Sequence, residues 1–64
     1  MKLNLEIPSD IDRFMFDIDK QEISVMAIHK LGTNSVQMER RIIRDKANSH
    51  YVQQVVNEIA EALR

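Results

Sequence analysis

Apolar and polar residues alternate strictly through Lys2-Leu3-Asn4-Leu5-Glu6-Ile7, with Leu3, Leu5 and Ile7 on one side. That period of two predicts a half-buried strand over 2–7, ended by Pro8, which lacks the N–H a ladder needs. Three N-cap signatures follow: Ser9 with Asp12, Asp19 with Glu22, and Asn34 with Gln37, each pair three residues apart. In such a pair the first side chain accepts from an early helical N–H and the second reaches back. Leu31-Gly32 reads as a helix stop, since glycine tolerates the left-handed conformation past a last turn. These signals predict helices near 10–18, 20–31 and 35–47. A fourth, near 50–63, begins around Asn48-Ser49 and carries a broad stripe of Val52, Val55, Val56, Ile59, Ala62 and Leu63.

Residues 10–31 also admit a second pattern. Phe14, Phe16 and Ile18 alternate, as do Ile23, Val25 and Ala27, so 13–18 and 22–28 could form a hairpin around Asp19-Lys20-Gln21. That turn lacks the Gly or Asn favoured in two-residue hairpins, and the cap residues favour helix. The fold class expected is therefore mainly α, a short N-terminal strand followed by three or four short helices. The alternative is α+β, an N-terminal β-meander with two C-terminal helices.

Size adds a demand for a partner. With 64 residues the chain forms one small domain, and a chain of this length buries only about 60 % of its unfolded surface. Zero cysteines exclude disulfides and thiolate metal sites, which leaves a partner subunit as the expected support, most simply in a homodimer. Leu3, Leu5 and Ile7 of the strand and Val52, Val55, Val56, Ile59 and Leu63 of the last helix are the expected dimer or partner interface. The last helix reads equally as core-facing. The longest aliphatic run is Val25-Met26-Ala27-Ile28, far short of the roughly 20 residues of a membrane span. No signal-peptide block opens the chain, so a cytoplasmic protein without membrane contact is expected.

Catalytic and metal chemistry find little to stand on. Asp17-Ile18-Asp19 superficially resembles the two-aspartate motif of phosphoryl-transfer enzymes, but the residues that follow it there are missing. Glu22 fills the slot where a calcium loop needs glycine. His29 and His50 stand apart, without the i, i+4 spacing of a helical metal site. No serine lies in a nucleophile context. No enzyme activity, cofactor, metal or small-molecule substrate is expected.

Charge supplies the one candidate site. The formal net charge is −1, yet residues 1–33 hold four basic against six acidic side chains and residues 34–64 hold five against four. On a helix over 35–47, Gln37, Arg40, Arg41 and Arg44 share one face free of acids. Asn48 joins them if the helix runs on. Guanidinium forks and amides grip phosphates and read base edges, or dock an acidic protein.

Two likenesses bear on that face. Helix 20–31, the turn Gly32-Thr33-Asn34 and helix 35–47 resemble a helix-turn-helix at coarse scale. Ile28 stands where that motif has a small residue and Arg41 where it has an apolar one. Leu3-Asn4-Leu5-Glu6-Ile7-Pro8 resembles the strand of ribbon–helix–helix repressors and antitoxins, whose paired strands enter the major groove. That likeness covers about seven residues, and neither amounts to family membership. The expected function is a small dimeric DNA-binding regulator or antitoxin-like protein using an arginine-rich helix. The alternative is a non-enzymatic protein-binding inhibitor or adaptor, and a third reading is a subunit whose only task is assembly.

Overall fold

Three strands and one helix make up the computed structural model, which describes residues 2–64. Strand β1 spans Arg13–Ile18, β2 Glu22–Leu31 and β3 Asn34–Ile43. A 3-10 turn, Arg44–Lys46, leads to helix α1, Ser49–Leu63. The strands form one antiparallel sheet in the order β1-β2-β3. The fold is α+β rather than mainly α. It has one C-terminal helix where the alternative expects two.

The expected helices near 10–18, 20–31 and 35–47 do not form. Over 13–18 and 22–31 the chain adopts the hairpin that the alternation of Phe14, Phe16, Ile18 and of Ile23, Val25, Ala27 permits. Its turn is Lys20-Gln21, closed by Asp19 N donating to Glu22 O at 2.9 Å. No non-glycine residue there has a positive φ, so neither Gly nor Asn is needed. Gly32 explains the second correction. Its φ of +66° serves position i+1 of the two-residue β2–β3 turn rather than a helix end. Only glycine adopts that conformation without strain, and a two-residue hairpin opening on glycine is among the favoured types. Asn34 and Gln37, expected as a helix cap, lie on β3.

Long-range pairing decided what local caps could not. Ile23, Val25 and Ala27 of β2 point to one face and are buried, together with Ile42 of β3 and Val52, Val55, Val56, Ile59 and Ala60 of α1. Phe14, Phe16 and Met38 pack at the margin of this core. Asn48 caps α1, its side-chain oxygen accepting from Tyr51 N at 2.8 Å.

Residues 2–8 join no sheet, so the strand expected at 2–7 is absent. They form an arm running alongside α1 in the same direction. Asn4 N donates to Ser49 Oγ at 3.1 Å, Glu6 N donates to Gln53 Oε1 at 2.7 Å, and Gln53 Nε2 donates back to Glu6 O at 2.9 Å. Two arm residues thus keep pace with four helical ones. An extended chain advances about 6.6 Å over two residues, and a helix advances about 6 Å over four. Leu3 and Leu5 turn inward onto the core. Asp10 and Arg64 close the far end as a two-pronged ion pair, with Arg64 Nη2 to Asp10 Oδ1 at 2.9 Å.

Candidate functional site

The five residues expected on one arginine face are scattered by the strand geometry. Successive side chains on a strand alternate between faces, so Arg40 and Arg41 point to opposite sides of the sheet. Arg40 faces the helix layer and pairs with Glu58 at 3.4 Å. Arg41 lies on the open face with Gln37, 3.5 Å from Glu39 and 3.8 Å from Glu22. Arg44 sits in the 3-10 turn, where its Nη1 donates to Asp19 O at 2.9 Å. Asn48 is occupied in capping α1. Each arginine of the group therefore meets an acid or a carbonyl within its own chain, and no acid-free face exists among them.

The expected partner interface is for the most part internal. Val52, Val55, Val56, Ile59 and Leu63 are buried within this chain's own core. Leu3 and Leu5 are half-buried against it. Ile7 alone of that set is exposed, at 45 %.

A different surface emerges on the side of the sheet away from α1. Met15 of β1 stands directly opposite Met26 of β2, and Ile28 follows two residues along. All three are half-buried, with no layer of the described chain over them. Charges of both signs ring this centre: Arg13 beside Ile28, Asp17 on β1, Glu22 on β2, Glu39 and Arg41 on β3. A shallow depression of about 280 Å³ lies here, lined by Met15, Asp17, Ser24, Met26, Glu39 and Arg41 among others. In the sequence this surface is hidden because 25–28 is apolar at every position. The available signal was the spacing of Met15, Asp17 and of Ser24, Met26, Ile28, legible only once these segments are strands.

A larger depression, about 540 Å³, lies between the arm and the start of α1, beside Glu6, Ser49, His50 and Gln53. Its Gln53 amide and the Glu6 backbone satisfy one another, which makes it a seam of the fold.

Ionisable groups fasten the segment between the arm and β1, Asp12 to β2 and Asp10 to the end of α1. Asp12 Oδ2 accepts from Lys30 N at 2.6 Å, and this bond, with the His29 charge adding to it, holds the carboxyl below the usual range. His29 Nδ1 lies 3.2 Å from the same oxygen. It is out of hydrogen-bond alignment and has no hydrogen-bond partner among the described residues. We read that contact as electrostatic only, since distance without alignment makes no hydrogen bond. Arg64, bonded to the Asp10 carboxylate, lowers its pKa to about 2. Among the described residues no group of three or more His, Cys, Asp or Glu is placed to hold a metal ion. No helix there is long and apolar enough to cross a membrane. No known protein family, curated protein or solved structure matches the chain.

Proposed function

We propose that this chain is a non-enzymatic protein-binding module, of the inhibitor or adaptor kind, that docks a protein partner on the open face of its sheet. The observation that carries the reading is the uncovered Met15–Met26 pair with Ile28 inside a ring of charges of both signs. Interfaces combine an apolar centre with a polar rim, and methionine is enriched in them because its unbranched thioether adapts to varied shapes. The cytoplasm is the compartment we assign, since a chain without cysteine needs no oxidising environment to fold. A rim holding Asp17, Glu22 and Glu39 beside Arg13 and Arg41 suits a partner of mixed charge better than the uniformly anionic backbone of a nucleic acid.

The test is selection of binders from a displayed peptide library, followed by affinity measurements on Met15→Ser and Met26→Lys chains whose folding is checked by circular dichroism. Selected peptides should bind the parent and lose at least tenfold on either variant. Peptides that bind both variants as tightly as the parent place the site elsewhere. A duplex titration at low and moderate salt runs beside it. Salt-sensitive binding that disappears in an Arg40→Gln, Arg44→Gln double variant would replace this reading with DNA contact.

A further inference from the structure

Strand β3 is bonded on one side only, at the end of the sheet. Arg44 N donates to Gln21 O at 3.0 Å, which fixes the parity of the β2–β3 ladder. Counting back from Arg44, the backbone groups of Ile42, Arg40, Met38 and Val36 turn toward β2. Those of Gln37, Glu39, Arg41 and Ile43 turn to the free edge. This edge belongs to a ten-residue strand containing neither the proline nor the lysine with which many proteins blunt such edges. The free edge of β1 belongs to a strand of six.

The charges at Glu39, Arg40 and Arg41 discourage most incoming strands, but one arrangement makes them complementary. In an antiparallel pairing of β3 with the same strand of a second copy, about a two-fold axis through Arg40, Glu39 of each copy lies directly opposite Arg41 of the other. Met38 then lies opposite Ile42 on the helix side, which continues the apolar core across the joint. Ile43, at 62 % the most exposed large hydrophobic among the described residues, lies opposite Gln37. The two Arg40 side chains meet at the axis, each already held by its own Glu58 at 3.4 Å. Neighbouring axes lose this match. An axis through Glu39 sets two carboxylates against each other, and one through Met38 leaves Glu39 facing Gln37 and Arg41 facing Ser35. Such self-complementarity is what an isologous interface requires, and a strand of unrelated sequence has no reason to supply it.

We propose that the free edge of β3 binds a second copy of this chain in the Arg40-centred antiparallel register, joining two sheets into one of six strands. The pairing supplies about eight backbone hydrogen bonds and two symmetric Glu39–Arg41 ion pairs. It leaves both open faces uncovered on one side of the joined sheet.

The test uses sedimentation and cross-linking on the full chain. The parent should pass from monomer to dimer over a series reaching about 1 mM, the range of a weak edge contact. Glu39→Arg alone and Arg41→Glu alone should each stay monomeric, and mixing the two variants should restore a dimer. The chain has no cysteine, so single substitutions report the register. Across the axis the two Cα atoms at position 40 stand about 4.5 Å apart, within disulfide reach. Arg40→Cys should therefore cross-link under mild oxidation and Met38→Cys should not. A parent that stays monomeric throughout, variants that fail to complement, or Met38→Cys cross-linking in place of Arg40→Cys would each overturn the proposal. The open-face reading is tested by Met15 and Met26, which lie off this strand, so it stands or falls separately.

Discussion

Along β2, Ile23, Val25 and Ala27 are fully shielded beneath α1, while Ser24, Met26 and Ile28, each one position further on, are half-buried with no layer above them. The same strand supplies both sets, so neither backbone nor position in the sheet explains the difference. On one face the chain provides its own cover, a helix plus the arm carrying Leu3 and Leu5. On the other the described residues provide none. Stability is thus concentrated on the helix side, and the open side is free to change with little thermodynamic penalty.

Removing core volume from the covered face should have the largest effect. Ile59 is wholly buried, and Ile59→Ala should cost about 2–5 kcal/mol in urea unfolding, enough to unfold much of a domain this small. Releasing the cover at its end is the next step down. Asn48→Ala removes the bond to Tyr51 N and should cost about 1 kcal/mol, read as a lowered midpoint with unchanged denaturant slope. Met26→Ala on the open face should cost well under the Ile59 change, about 1 kcal/mol because the side chain is only half-buried, while abolishing capture of selected peptides. If Met26→Ala instead destabilises as much as Ile59→Ala, the two faces are not distinct in the way their burial implies.

The smallest effect concerns acid. The folded pKa of Asp10, about 2, lies below its ordinary value of 3.8. The contribution of this clasp is therefore complete above about pH 4 and fades as pH falls toward 2. Both groups are exposed, so the global effect on stability is slight. The local signal is sharp: carbon-detected titration should place the Asp10 midpoint near 2, and Arg64→Ala should return it to the usual carboxylate range. A parent midpoint near 3.8 would mean that the arm is not clasped in solution.

Helix α1 occupies the span the apolar stripe predicts, because its periodicity and its Asn48 cap are both local. The strands were less legible for reasons that name themselves in the residues. Lys20-Gln21 makes a tight turn without glycine, so the β1–β2 hairpin carries no composition signal. Gly32 is compatible with a helix stop and with a hairpin turn, and only the partner strand decides between them. On β3 the inward series Val36, Met38, Ile42 is interrupted by Arg40, which reaches Glu58 at the sheet's edge and so breaks the alternation. The arginine face depended on helical spacing and dissolved with it. The Met15–Met26 centre requires the register of two strands, which no single window of sequence contains.

The arm carries a consequence for the order in which contacts can form. Asn4, Glu6 and Asp10 find their partners at Ser49, Gln53 and Arg64, between 45 and 54 residues downstream. Contacts of such long sequence separation are costly to close before the elements between them are ordered, so the arm settles only against an α1 already in place. Arm and α1 therefore complete the core together, and loosening either one uncovers the apolar face of the meander.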